Sequence, residues 1–208
     1  PFELRELKQS FFNMMESIEK NKKEISILAY SDTTTGLPNR NYFYQLSHKA
    51  LNKMTTCKQK GALAFIDFDD FKVINDTYGH KVGDELLLLF GQRLLAHLSL
   101  SNRYEKILSF SEKLPCIIPA RLSGDEFVIL LQNIKDKEEV ERIIQVLLDA
   151  IFIVYTLPDE IELKLTGSAG IAIFPDDGED YNQLVRAADF AMYDAKSAGK
   201  GRMRFATR

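Results

Sequence analysis

The sequence predicts an α+β fold, an α/β sandwich in which a central, mostly antiparallel sheet is flanked by helices and preceded by a coiled-coil helix. Three observations carry this. Helical stretches alternate with short apolar runs in the order helix, strand, helix, strand-hairpin, helix, strands, helix, strand. Two of the runs, Ile117 to Leu122 and Glu126 to Gln132, flank Ser123-Gly124-Asp125, a glycine turn of the hairpin type. The first 30 residues carry a heptad seam, Leu4, Leu7, Phe11, Met14, Ile18, Asn21, Ile25 and Leu28, spaced alternately three and four apart.

Each element has its own justification. Around the seam lie Arg5, Glu6, Lys8, Glu16, Glu19, Lys20, Lys22, Lys23 and Glu24, so one helix face is apolar and the others are solvated. The helix packs either onto its own domain, for which Phe12 and Met15 widen the stripe, or against a second copy as a parallel stalk with Asn21 setting register. Small polar residues, Gly36 and Pro38 end it and open the globular domain, so the expected division is 1–30 coiled-coil helix and 31–208 globular domain. Asn41 to Lys53 reads as a helix with Phe43, Leu46 and Leu51 inward, and Gly61 to Phe68 as a buried strand ending in acid. A short segment, Phe71 to Tyr78, leads through Gly79 to an apolar helix over Val82 to Leu98. Ser99 to Pro119 has no clean period. After the hairpin come a helix over Lys137 to Val154, strands over Glu160 to Thr166 and Ser168 to Phe174, a helix over Asn182 to Ser197 and an edge strand at Arg202 to Phe205.

Composition narrows the function. A chain of 208 residues with 45% apolar content can bury a real core. With 27 Lys+Arg against 30 Asp+Glu, the formal charge of -3 gives no basis for a sequence-independent grip on nucleic acid. Cys57 and Cys116 have no metal-ligand or CxxC spacing and read as reduced thiols. No apolar run approaches the roughly 18 residues of a membrane helix. The chain starts at Pro1 and runs at once into a helical pattern, as expected of a piece cut from something longer.

Two acidic groups fall where the sheet should converge: Asp67, Asp69 and Asp70 at the end of the first buried strand, and Asp125 and Glu126 in the hairpin. Carboxylates so concentrated repel one another unless a cation joins them, and Mg²⁺ favours one or two carboxylates plus substrate phosphates. Strand alternation puts Asp67 and Asp69 on one face, so that one can hold metal while the other braces the turn. Lys72 opens a short helix whose N–H groups favour an anion, and Lys196, Lys200 and Arg202 flank Gly199 and Gly201 as a second basic site. There is no P-loop, no GxGxxG, and no partnered nucleophile, and His48, His80 and His97 lack metal-ligand spacing. Metal-assisted chemistry on a phosphate remains.

These residues carry a resemblance. Asp32-Thr33-Thr34-Thr35-Gly36-Leu37-Pro38-Asn39-Arg40, Asp67-Phe68-Asp69-Asp70-Phe71-Lys72-Val73-Ile74-Asn75-Asp76, Gly79-His80, Gly83-Asp84, Arg121-Leu122-Ser123-Gly124-Asp125-Glu126-Phe127 and Ala188-Asp189 through Ala195-Lys196 resemble, in order, the motifs of a GGDEF domain, the diguanylate cyclase family. The resemblance covers about residues 31–207. It implies a nucleotidyl-cyclase and polymerase-palm-like fold, condensation of two GTP into cyclic di-GMP with release of pyrophosphate, Mg²⁺ (or Mn²⁺) as cofactor, and one GTP per subunit, so that a homodimer is needed. By the same resemblance Asp67, the Phe68 carbonyl and Asp125 are metal ligands, and Glu126 is the second metal ligand or the base for the attacking 3′-hydroxyl. Asn75 and Asp84 would read the guanine edge, and Lys72, Lys196 and Lys200 would hold phosphates beside the backbone of Gly124.

Departures from the family pattern are as informative. Ser123 stands where the first Gly is usual, and a Cβ there could impose φ strain on the turn. Thr34 replaces a Leu, and Lys200 stands where Arg is commoner, making that contact less bidentate. The family's product-inhibition motif RxxD would occupy positions 114 to 117, where this chain has Leu114 and Ile117. Ser99 to Pro119 is an insertion. Leu4 to Ile18 resembles the second helix of a HAMP linker, which implies a cytoplasmic domain of an inner-membrane-anchored receptor reached through upstream segments. Gly170 to Gly178 is similar to GGDEF domains that precede an EAL phosphodiesterase domain, which this chain does not contain. Three readings follow: an active cyclase, a catalytically weak GTP-binding module regulating a neighbouring domain, and a polymerase-like or adenylyl cyclase enzyme.

Overall fold

The computed structural model describes residues 2–98, 114–157 and 160–207, so most of the 99–119 insertion lies outside the described residues. Chain order is α1 (Phe2–Tyr30), α2 (Arg40–Cys57), β1 (Lys60–Phe68), α3 (Phe71–Tyr78), α4 (His80–His97), β2 (Ile117–Ser123), β3 (Glu126–Ile134), α5 (Lys137–Ile151), β4 (Val154–Thr156), β5 (Glu162–Lys164), β6 (Gly167–Phe174), α6 (Tyr181–Ser197) and β7 (Met203–Phe205). Five strands form the central sheet in the order β2-β3-β1-β6-β7. β1 is antiparallel to both neighbours, and only the edge pair of β6 with β7 is parallel.

The sheet is covered on both faces, which is why β1 and β6 read as continuous apolar runs rather than alternating ones. Ala62, Ala64, Ile66 and Phe68 of β1 join Phe127, Ile129 and Leu131 of β3 in a core closed by Leu86, Phe90 and Leu94 of α4 and Ile144 and Leu148 of α5. The alternate residues, Leu63, Phe65, Val128 and Leu130, face Phe43, Leu46 and Met54 of α2 and Leu184, Ala188 and Met192 of α6. By the same alternation Asp67 and Glu126 fall on the α2/α6 side.

Helix starts are set by short polar side chains. Asn39 accepts from Tyr42 N at 3.0 Å, Asp136 from Glu139 N at 2.8 Å and Asp180 from Gln183 N at 2.9 Å. The helix expected over Lys137 to Val154 stops at Ile151, because the β-branched and aromatic run that follows prefers a strand. That strand, β4, pairs with β5 as a separate ribbon, and the strand expected over Glu160 to Thr166 is reduced to β5. Cys57 and Cys116 are free thiols, as expected.

Helix α1 forms as predicted, and its described seam residues are turned outward: Phe11, Met14, Ile18, Ile25 and Leu28 are all at least half exposed, up to 70% for Leu28. This stretch therefore does not bury its apolar stripe against the domain that follows it.

At the contact of α6 with β6 the backbones are so close that a Cβ on Gly170 would collide with Ala188 O and Met192 N. Main-chain atoms cannot swing aside. Gly170→Ala should destabilise the domain by about 2–3 kcal/mol, the scale of overpacking a tight core, read as a lower urea midpoint at an unchanged slope.

Candidate functional site

The site sits where β1 ends and β3 begins. Strand register makes Asp67 the direct partner of Glu126 on one side and of Ser168 on the other. The β2–β3 hairpin brings Asp125 beside them, and the last turn of α6 supplies Lys196. Lys196 Nζ donates to Asp67 Oδ1 and lies 3.4 Å from the Phe68 carbonyl oxygen. Burial pushes the Asp67 carboxyl up to about 6; the Lys196 hydrogen bond opposes this, while the charges of Asp125 and Glu126 add to it. Asp125 is likewise pushed up, chiefly by burial. Glu126 is held differently: Ser123 Oγ donates to its Oε2 at 2.5 Å, and Arg40 Nη2 stands 3.7 Å from the same oxygen.

The remaining acids have separate duties. β1 ends at Phe68, so strand alternation does not govern Asp69, and its buried carboxylate accepts from Ser168 Oγ at 2.8 Å and Gly201 N at 2.9 Å. It braces the turn. Asp70 adopts a left-handed φ of 58° ahead of α3 and accepts from Lys200 Nζ at 2.6 and 2.8 Å. Lys72 is exposed in the first turn of α3. Asn75 and Asp84 form a second group at the α3–α4 joint: a Cβ on Gly83 would collide with Asn75 Oδ1, so that glycine lets the amide lie against the first turn of α4, next to Asp84.

The structure thus brings together Asp67, Phe68, Asp125, Glu126 and Lys196, with Lys200 one acid away and Gly124 in the hairpin turn. Among the described residues no three acidic, His or Cys side chains converge as a ready ligand cluster. Lys196 already sits on two of the expected donor oxygens. The donor set, three carboxylates and a carbonyl, is all hard oxygen and suits a magnesium-like ion. Two participants were not among the sequence candidates. Asp189 of α6 is pushed up by burial and by the charge of Glu126, placing a further carboxylate at the same locus. Its spacing of seven from Lys196 on a helix was the available signal. Arg121 is 9% exposed and donates from Nε to Gly124 O at 2.8 Å and from Nη1 to Asp32 Oδ1 at 2.8 Å.

Residues 29–202 match the family described as diguanylate cyclase, GGDEF domain. This chain belongs to the GGDEF-domain family. It is 36% identical to the biofilm architecture maintenance protein MbaA of Vibrio cholerae over 98% of this chain and 24% of that protein. It is 35% identical to the cyclic di-GMP phosphodiesterase PdeR of Escherichia coli over 86% of this chain and 24% of that one. A solved GGDEF domain of TpbB from Pseudomonas aeruginosa superposes with a TM-score of 0.72 at 31% identity, covering 86% of this chain and 95% of that one. The chain spans about a quarter of the length of the first two relatives.

In this GGDEF domain the Ser123 departure costs no backbone strain. The left-handed conformation of the hairpin turn falls on Gly124, with φ +46°, and Ser123 is not among the positive-φ residues. Behind the turn, burial pushes the Asp32 carboxyl up, but hydrogen bonds from Arg121 and Thr35 outweigh it and hold it below its ordinary 3.8. A lowered folded-state pKa makes the contribution of the Asp32–Arg121 pair complete above 3.8 and lost as pH falls through the lowered value. Asp32→Asn should cost about 2 kcal/mol near neutral pH. Urea unfolding of both proteins should show that deficit shrinking below about pH 4.

Proposed function

We propose that the domain is a diguanylate cyclase that condenses two GTP into cyclic di-GMP and pyrophosphate across a homodimer, within cyclic di-GMP signalling. The observation that carries this reading is the register that sets Asp67 opposite Glu126, with the charge of Asp125 acting on the same carboxyl and Lys196 seated on it. Asp67, the Phe68 carbonyl, Asp125 and Glu126 would hold Mg²⁺ or Mn²⁺, which offsets the charge of the phosphates when bound. Lys196, Lys200 and Lys72 meet phosphate oxygens, and the Gly124 turn lets backbone approach them. Asn75 and Asp84 hydrogen-bond the guanine edge, and adenine would leave both unpaired.

In the reaction the 3′-hydroxyl oxygen of each GTP bonds to the α-phosphorus of the other, so that two phosphodiester bonds form, two pyrophosphates leave, and each hydroxyl proton passes to the Glu126 of one subunit. Each subunit holds one GTP. The outward seam of α1 is the means of pairing two copies, with residues 1–30 as the signalling helix and 31–208 as the catalytic domain. Anchoring in an inner membrane through upstream segments, with this domain on the cytoplasmic side, belongs to the same proposal; among the described residues no helix is long and apolar enough to cross a membrane. A second reading, a weakly active GTP-binding module that regulates a neighbouring phosphodiesterase domain, is favoured by the likeness to PdeR.

Incubation with GTP and Mg²⁺ should yield cyclic di-GMP at a rate rising more steeply than linearly with protein concentration; GTP binding without product at any concentration selects the regulatory reading. Asp125→Ala should lower turnover at least ~10²-fold, the scale of losing a charge-stabilising group. Asp84→Ala should mainly relax the preference for GTP over ATP, read by competition.

A further inference from the structure

The cation nearest the proposed metal ligands belongs to the protein itself. Lys196 Nζ donates to Asp67 Oδ1 and stands 3.4 Å from the Phe68 carbonyl, the two adjacent oxygens of β1 that the metal reading requires. An ammonium on Asp67 Oδ1 takes acceptor sites that a divalent ion would use, and two cations on one carboxylate repel each other at that range. We propose that Lys196 is an internal competitor for the metal site, and that nucleotide phosphates admit the metal by drawing the Lys196 ammonium off Asp67. The proposal rests on the assignment of Asp67 and Phe68 as metal ligands.

The surroundings fit an exchange confined to one side chain. The Lys196 carbonyl accepts from Gly199 N and Lys200 N, both at 3.2 Å, so the backbone at the end of α6 is held. Only the four-carbon stem need turn, and its side chain is 28% exposed, open to an anion arriving from solvent. Lys200 supplies a contrast within the same turn: its ammonium sits on Asp70, an acid outside the proposed ligand set. Any effect of Lys196 that is mere net charge should therefore be shared by Lys200, and any effect of direct occupancy should not. Linkage then gives a signature. If phosphates remove the competitor, nucleotide raises metal affinity, and metal must raise nucleotide affinity by the same factor.

The test is Mn²⁺ binding to the purified chain, followed by the electron paramagnetic resonance of free Mn²⁺, alone and with 3′-deoxy-GTP, which lacks the attacking hydroxyl. Without nucleotide, Lys196→Gln and Lys196→Met should each bind Mn²⁺ about tenfold more tightly than the parent, within the usual range of site coupling. Lys200→Gln should change it less than threefold or so. With 3′-deoxy-GTP, the parent should gain Mn²⁺ affinity, and the Lys196 variants should gain far less. Equal or weaker Mn²⁺ binding by both Lys196 variants, with binding still abolished by Asp67→Asn, overturns the competitor and leaves the metal site standing. A Lys200→Gln effect as large as that of Lys196→Gln reduces the phenomenon to net charge and overturns it as well. Mn²⁺ binding that survives Asp67→Asn, or is absent from the Lys196 variants, overturns the metal assignment and the proposal together.

Discussion

Everything at the working end of this domain follows from a sheet that is buried on both faces. With helices on either side, strands β1 and β3 cannot carry a charge along their length, so polar chemistry is confined to the ends of the strands. There the antiparallel register sets Asp67 opposite Glu126, and the hairpin adds Asp125 within the same charge field. Such a placement is unfavourable by itself: burial pushes both Asp67 and Asp125 up, and the neighbouring charges of Asp125 and Glu126 add to this at Asp67. It is tolerated because α6 ends in Lys196, whose reach spans the gap to β1. α6 can lie close enough for this because Gly170 offers no side chain beneath Ala188 and Met192. A glycine in mid-strand is thus tied to the position of a lysine two helical turns away.

The turn that bears Asp125 is held from behind. Arg121 bonds the Gly124 carbonyl with one nitrogen and Asp32 with another, and its own backbone N–H donates to Pro38 O at 3.0 Å. Asp32 also accepts from the Thr35 backbone and hydroxyl, which closes the 31–40 loop on itself. At the other end of that loop Asn39 donates from Nδ2 to Ala29 O at 2.9 Å and caps α2 with Oδ1. The C-terminal end of α1, the loop and the hairpin are therefore one hydrogen-bonded body.

Much of this was legible in the sequence because the signals were local. The DxxTGLPNR loop, the apolar run ending in Asp67 and the glycine turn before Asp125 each name their structure through turn chemistry and period, and the five-stranded sheet follows from their order. What escaped was tertiary. Nothing near Lys196 in the chain reveals that it lies on Asp67, 129 residues away. Arg121 read as part of a motif, whereas its use as a strut needs the 31–40 loop to fold back upon the hairpin. Phe152 to Val154 reads as the tail of α5, since an apolar run after an amphipathic helix keeps the helical period for a turn. The ribbon with β5, formed only once the chain doubles back, decides otherwise.

Ser123 shows how the fold separates tolerance from requirement inside one turn. Of the two residues that most family members fill with glycine, only Gly124 takes a φ that a side chain resists, so position 123 is free to carry a Cβ. The hydroxyl that enters there is not idle, because it donates to Glu126 at 2.5 Å and fixes an acid that is otherwise steadied by Arg40 at 3.7 Å. The substitution that first looks like damage to a phosphate-facing turn is, in this geometry, a means of orienting the carboxylate next to it.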